Sequence, residues 1–405
     1  MWNTDPMDAP PQPPSRRRFL ARTLGAGGAV ALSDAWLARL LAQAGCDDGP
    51  SGELVRTIPL YGVGADPVPL GQTLGGRGLG TRLFTDLSTL TADTLVTPTD
   101  QVFVRTAAPP GLAHDPAGWA VALRSAAGAA PIAVSAATLA AEAEPMGAHV
   151  MECAGNANPQ NFGLMSAVEW HGVPLPRVLA RVPRPAGAAA VHVSGVDHRV
   201  QDTPQSLPGA SWVLPVDAVT RTGAFLAVRM NGEPLTPDHG APVRLVVPGW
   251  YGCSWIKWVD EVRWAAADEP STTQMLEFAF RTHQDGIPER AADYLEPAID
   301  TAAMPVRVEQ RRVAGRTEYR VVGIVWGGDR PIDRLMLRFG GRDAGVPVPL
   351  CPPPRSARTW ALWSYRWRPT EPGYYDITVR AADPTIRTRR LDLSFYIRRV
   401  RIDEV

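Results

Sequence analysis

Proline and glycine interrupt this chain so often that no regular element can run long; apolar stretches stop at Pro109-Pro110, Asn231-Gly232 and Pro248-Gly249. Proline removes a backbone donor and glycine admits tight turns, so strand-length apolar runs broken in this way read as short β-strands joined by turns, not as a helical bundle. The 40 prolines and 37 glycines sit among 45% hydrophobic residues, a balance that excludes disorder throughout and lets sizeable cores form. At 405 residues the chain exceeds one ordinary core, and two globular domains with a short tail are expected.

Forty-one basic side chains balance 41 acidic ones, so no global field attracts nucleic acid or an anionic membrane, and any bound anion must be held by a local cluster. Cys46, Cys153, Cys253 and Cys351 stand far apart. They form no CxxC pair and no CxxCH, so neither a zinc ribbon nor a dense disulfide framework is indicated and covalent haem is not expected.

Ser15-Arg16-Arg17-Arg18-Phe19-Leu20 opens an apolar stretch to Ser33, and Ala42-Gln43-Ala44 follows with the small-x-small pattern of a cleavage site. This resembles a twin-arginine export signal over residues 1–44, with a periplasmic destination. Asp34 and Arg39 limit the apolar stretch to about 15 residues where a bilayer span needs roughly 20, so no stable membrane insertion is expected. Gln43, where a lipid-anchor signal usually carries an aliphatic residue, argues against lipidation of Cys46. Twin-arginine export carries folded proteins, which raises the expectation of a cofactor inserted before export.

Along the remaining chain, residues 53–99 read as loops and short elements, and Gln101–Arg105 alternates like a strand. His149–Cys153 is a second short strand, turned immediately by Ala154-Gly155-Asn156. A helix is expected from Pro176 to Arg181, and strands at Ala224–Met230 and Val243–Val247. Glu269 to about Ala303 begins as a helix and becomes a proline-containing linker, which puts a domain boundary near Asp300. Beyond it, Tyr319–Trp326, Ile332–Phe339, Trp360–Trp367, Tyr374–Arg380 and Leu391–Arg398 are strand-length runs that imply an immunoglobulin-type β-sandwich.

Cys153 stands at a strand end, where a thiolate can reach a soft or borderline metal. His239 and Arg244 lie in the run Asp238-His239-Gly240-Ala241-Pro242-Val243-Arg244-Leu245-Val246-Val247-Pro248-Gly249, followed at once by Trp250-Tyr251-Gly252-Cys253-Ser254-Trp255-Ile256-Lys257-Trp258. An arginine fork, a lysine point charge and glycine-rich backbone suit a phosphate-bearing cofactor tail. Arg244 in an apolar strand and Lys257 between two tryptophans are places where an unpaired charge is costly, which argues against plain surface charges.

Met151-Glu152-Cys153-Ala154-Gly155-Asn156, Glu169-Trp170-His171-Gly172-Val173-Pro174-Leu175, Arg229-Met230-Asn231-Gly232-Glu233-Pro234-Leu235 and the run from Asp238 to Trp258 resemble the molybdenum domain of the sulfite oxidase family. Val322-Gly323-Ile324-Val325-Trp326-Gly327-Gly328, Pro331-Ile332, Trp360–Trp367 and Pro372-Gly373-Tyr374-Tyr375 resemble that family's C-terminal dimerisation domain. The resemblance implies an α+β chain: a mixed α/β molybdopterin domain over residues 45–300, then an all-β immunoglobulin-like sandwich over residues 301–405. It implies molybdenum-molybdopterin as cofactor and Cys153 as metal ligand. Phe103, Val104, Arg105, Asp197, His239, Arg244, Trp255, Ile256 and Lys257 would hold the pyranopterin and its phosphate, with Arg105 also at the catalytic centre.

The implied activity is oxygen-atom transfer to sulfite or a related sulfur compound, with electrons leaving to a periplasmic cytochrome c, by a homodimer. The chain departs from the sulfite oxidase pattern at Ala107 (histidine expected), Asn158 (arginine) and Phe278 (tyrosine). Losing an arginine removes a bidentate grip on an oxyanion and puts sulfite itself in doubt. Reduction of an S- or N-oxide and dehydrogenation of a sulfane group by the same centre therefore remain as alternatives. Outside this chemistry stand a cofactor-free binding protein and a cysteine hydrolase using Cys153. His171, His192, His198 and His283 carry no assigned role, and Cys253 reads as a core thiol.

Overall fold

A computed structural model describes residues 52–63, 82–92, 94–105, 117–157, 162–196, 210–340, 345–350, 356–394 and 396–405. The arginine motif at 15–20, the apolar stretch to Ser33, Ala42–Ala44, Cys46, Ala107, Asn158, Asp197, His198 and Cys351 lie outside the described residues.

The described chain is mostly β with a few short helices, as the proline and glycine spacing predicts. One sheet runs in the order Ser211–Pro215, Ala188–Gly195, Val259–Ala266, Ala120–Arg124, Ile132–Ser135, with only the Val259–Ala266 and Ala120–Arg124 pair parallel. A second sheet runs Glu233–Pro234, Phe225–Met230, Met165–Pro174, Glu144–Glu152, and Arg244–Val246 joins it beside Phe225–Met230. Among the described residues four α-helices, Ala136–Glu142, Leu175–Leu179, Val216–Thr222 and Thr273–Phe278, accompany these sheets. Ser135 caps the first by accepting from the Thr138 N–H at 3.0 Å, and Gly223 closes the third at φ 67°, a left-handed conformation that glycine adopts without steric cost.

Two further sheets follow. One has the order Glu53–Ile58, Ala302–Val313, Arg316–Trp326, Ala361–Trp367; the other Val346–Pro349, Arg334–Phe339, Gly373–Ala381, Arg398–Ile402, Tyr61–Gly62. Their facing side chains, among them Val308, Tyr319, Leu335, Leu337, Trp363 and Ile377, form one buried core.

The Arg316–Trp326 strand explains its own composition. Val322, Ile324 and Trp326 point into the larger core of the first two sheets, whereas Tyr319, Val321 and Val325 point into the second core. Burial on both faces requires a nearly continuous apolar run, and Val321-Val322-Gly323-Ile324-Val325-Trp326 supplies it. Gly323 is where Trp363 packs against the strand: a Cβ there would sit 2.1 Å from the indole.

Several expected elements differ. The alternating run at Gln101–Arg105 becomes a 3-10 turn at Thr99–Gln101 and a two-residue strand at Val104–Arg105, because Val102, Phe103 and Val104 are all buried instead of alternating. Among the short elements expected over residues 53–99, Glu53–Ile58 is a strand whose partner lies at Val308–Arg312, a pairing that no local pattern announces. At the C-terminus the strand is Arg398–Ile402 and not Leu391–Arg398, since Leu391 and Tyr396 are drawn into the larger core by a turn in which the Tyr396 N–H donates to the Leu393 carbonyl. Among the described residues no helix is long and apolar enough to cross a membrane.

Candidate active site

Cys153 follows the last residue of the Glu144–Glu152 strand. Its N–H donates to the Leu164 carbonyl at 2.9 Å, and its carbonyl accepts from the Asn156 N–H at 2.9 Å, so the turn is pinned on both sides. Asn156 reinforces it by accepting from the Leu164 N–H at 3.1 Å. The Gly155 N–H points back at Cys153 Sγ, 3.4 Å away. Burial pushes the thiol pKa up, while that N–H, Arg105 and Arg281 pull it down. Such a thiol stays protonated until a strong electrophile or a metal takes the sulfur.

The second part of the site comes from residues 236–258. His239 closes a 3-10 turn at Pro237–His239. Its Nε2 lies 3.3 Å from the Phe103 carbonyl and its Nδ1 lies 2.6 Å from Thr236 Oγ1. A carbonyl can only accept, so Nε2 donates to Phe103 and Nδ1 accepts the threonine hydroxyl. Burial, then Arg244 and Lys257, lower the His239 pKa to about 4, and the ring is neutral at ordinary pH. Next comes Gly240 at φ 99°, where a Cβ would lie 2.9 Å from Lys257 Cβ; only glycine lets the two segments approach this closely.

Arg244 is the most telling side chain. It is 3% exposed and lies over the rings of Trp170 and Trp255, 5.5 Å and 6.0 Å from their centres. Its Nη1 donates to the His239 carbonyl at 2.9 Å and its Nη2 to the Trp255 carbonyl at 3.3 Å, but its buried Nε has no hydrogen-bond partner. Among the described residues no carboxylate pairs with it, and burial lowers its pKa to about 9. A buried cation with an orphaned donor is costly unless an anion arrives to meet it. Lys257 adds a second positive charge, its Nζ donating to the Asp238 carbonyl at 3.0 Å above the Trp258 ring.

These parts share one cleft. Phe103, Arg105, Cys153, His239, Arg244, Trp255, Ile256 and Lys257 all line a cavity with about 1020 Å³ of empty space open to solvent. Val104 is buried next to the cleft without lining it, and Asp197 lies outside the described residues.

The cleft also holds groups that the sequence reading did not put there. Cys253 is a buried core thiol, as expected, and it also lines the cleft beside Cys153, from the 3-10 turn Gly252–Ser254. Gln274, Glu277 and Arg281, with Phe278 that the sequence did place at the site, come from the Thr273–Phe278 helix and the turn after it. Their spacing of three, one and three residues is a single helical face, the signal by which they could have been grouped. Gln274 is anchored by donating from Nε2 to the Cys253 carbonyl. Of the unassigned histidines, His283 donates from Nε2 to the Ala298 carbonyl at 2.8 Å and serves as a structural link.

Residues 107–273 match the family model described as the oxidoreductase molybdopterin-binding domain. The sulfite oxidase of Gallus gallus is 30% identical over 240 residues, 53% of this chain and 50% of its own length. The mitochondrial sulfite oxidase of Homo sapiens is 27% identical over 239 residues, 53% of this chain and 43% of its own. This chain thus spans about half the length of the curated sulfite oxidases it matches. The sulfane dehydrogenase SoxCD from Paracoccus pantotrophus is similar in fold, with a TM-score of 0.61 at 18% identity over 83% of this chain and 90% of that one. The matched residues take in Cys153, His239, Arg244 and Lys257 of the cleft, so this part of the chain is similar to the molybdopterin-binding domain of the sulfite oxidases, and the cofactor that the similarity implies is molybdenum-molybdopterin.

Proposed function

We propose that this chain is a molybdenum-dependent oxidoreductase that transfers an oxygen atom to sulfite or a related sulfur oxyanion, with electrons leaving to a cytochrome c. The observation that carries the reading is that Cys153 and the uncompensated Arg244 line one cleft. The residues fit the cofactor: Arg244 and Lys257 would take the anionic tail, His239 and Phe103 the pterin, and Cys153 the metal. Among the described residues no group of three His, Cys, Asp or Glu is placed to hold a metal ion, so a metal beside Cys153 needs most of its ligands from a non-protein group.

When bound, the cofactor supplies the two-electron redox couple and the transferable oxygen. The chain's own residues do the rest. Neutral His239 presents a donor to the Phe103 carbonyl and so fixes the Phe103–Arg105 segment along the cleft. Arg105 brings positive charge beside Cys153, where a substrate oxyanion would be drawn in. Trp255 and Ile256 wall the cleft, and a drier site strengthens each charge contact made inside it.

A second reading, dehydrogenation of a sulfane sulfur, is favoured by Phe278 lining the cleft where the sulfite oxidase pattern has a tyrosine. Reduction of an S- or N-oxide by the same centre is the third. As part of the same proposal, residues 1–44 act as a twin-arginine signal that delivers the protein to the periplasm, 45–300 and 301–405 are its two domains, the second immunoglobulin-like, and two chains pair as a homodimer.

The test is metal analysis of protein matured in the cytoplasm, with and without Cys153→Ser, alongside turnover of sulfite with cytochrome c and of a sulfoxide with reduced viologen. One molybdenum per chain, lost in the variant, is the expected result. Full molybdenum in the Cys153→Ser protein overturns the ligand assignment, and turnover of the sulfoxide alone overturns the direction.

A further inference from the structure

The chain has Asn158 where the sulfite oxidase pattern places an arginine, yet the cleft still holds a second arginine near the thiol. Arg281 ends the 3-10 turn Ala279–Arg281 that continues the Thr273–Phe278 helix. Its guanidinium stands over the Phe278 ring, 5.5 Å from the centre. A Cβ built on Gly155 would lie 3.1 Å from Arg281 Nη1 and 3.7 Å from Cys153 Sγ. The missing side chain at Gly155 therefore lets the guanidinium come close to the Cys153 turn.

Arg281 makes no ion pair with any described carboxylate, although Glu277 lines the same cleft. Arg105 reaches the thiol from a different element, the Val104–Arg105 strand, so two arginines act on the sulfur. Their placement differs from that of Arg244 and Lys257, which are tied to carbonyls of the 238–255 segment and serve the cofactor tail.

We propose that Arg281 is a substrate-binding residue that grips a tetrahedral or pyramidal sulfur oxyanion in the cleft beside Cys153, together with Arg105. This deepens the reading given under Proposed function and rests on it. An exposed guanidinium without a counter-ion keeps its forked donors available, and an oxyanion is the ligand whose geometry they match. The preference would be for a small dianion. A neutral sulfoxide offers one acceptor oxygen and gains less from the same fork.

The experiment uses molybdenum-loaded protein, wild type and carrying Arg281→Gln or Arg281→Lys, and titrates inorganic sulfate by calorimetry while metal content and melting temperature are read in parallel. Sulfite and dimethyl sulfoxide turnover are measured on the same samples. Arg281→Gln should weaken sulfate binding and raise KM for sulfite by roughly ten-fold or more, the loss of one charge-assisted contact, with molybdenum retained and KM for dimethyl sulfoxide little changed. Arg281→Lys should fall between the two. Sulfate binding by Arg281→Gln equal to that of the wild type, or no sulfate binding by the wild type, overturns the proposal for Arg281. Absence of molybdenum from the wild type instead overturns the enzymatic reading, and sulfate titration of that same protein still decides whether Arg281 holds an anion.

Discussion

Glu152 and Arg389, 237 residues apart, form a two-pronged ion pair directly behind the cysteine: Arg389 Nη1 donates to Oε1 at 2.8 Å and Nη2 to Oε2 at 2.7 Å. Glu152 is fully buried, and it also accepts from Trp326 Nε1 at 2.7 Å and Asn156 Nδ2 at 3.3 Å. Arg389 stands over the Tyr251 ring as well and donates to the Tyr396 hydroxyl at 2.9 Å. One guanidinium from the C-terminal region thus braces both the Cys153 strand and the loop that carries Cys253. The pair's attraction holds the arginine charged, its pKa well above the usual value despite burial.

Removing one member of this pair leaves a charge buried without compensation. Arg389→Met is expected to destabilise the protein by about 3–5 kcal/mol, and Glu152→Gln/Arg389→Met together by less than Arg389→Met alone. Denaturant unfolding of the four proteins of the cycle tests this; simple additivity of the two single variants would mean that the pair is not coupled.

Arg244→Met should have opposite effects on the two forms of the protein. Without cofactor, the variant loses an uncompensated buried charge and should melt at the same temperature as the wild type or higher. In the loaded protein the anionic tail loses its partner, so molybdenum retained after dialysis should drop at least about ten-fold, the loss of a charge-assisted contact. A variant that melts lower without cofactor yet keeps its metal contradicts the assignment.

His149 predicts a pH dependence. It is buried, donates from Nε2 to the Met146 carbonyl at 2.9 Å and has no partner at Nδ1; burial lowers its pKa to about 4 from 6.5. Between those values the unfolded chain takes up a proton that the folded one refuses. Stability is therefore constant above about pH 6.5 and falls as pH drops toward 4, by on the order of 3 kcal/mol from this group. His149→Asn should flatten that part of the curve in urea titrations across pH; an unchanged slope would assign the loss to other groups.

Two glycine-to-alanine changes should separate packing from function. Gly323→Ala would drive a methyl into Trp363 and the Met304 carbonyl, at 2.1 Å and 2.5 Å, neither of which can swing away. A loss of about 3 kcal/mol or more is expected in thermal or denaturant unfolding. Gly155→Ala meets only the tip of Arg281 within contact range of strain, at 3.1 Å, so unfolding should change by under about 1 kcal/mol while KM for sulfite rises.

Much of the fold was legible from residue type because strand signals are local. Tyr319–Trp326 reads as a strand from its apolar run alone, and it lies within the strand Arg316–Trp326. Arg244 stood out for an equally local reason, a charge set in an apolar strand, and the cost of burying it unpaired marks it as waiting for a ligand. Arg281 gave no such sign: an arginine on a short helix end looks like any solvated charge.

What the sequence determined by itself was the inventory: short strands punctuated by proline and glycine, a strand-end thiol, and a glycine-rich basic segment placed where its charges need an anion. Tertiary structure alone decided which of these meet. It set Glu53–Ile58 against Val308–Arg312, brought Arg389 to Glu152, and turned one face of the Thr273–Phe278 helix toward Cys153. The reason is that pairings across hundreds of residues depend on the shape and burial of the assembled sheets, which leave no periodicity in either partner for a local reading to detect.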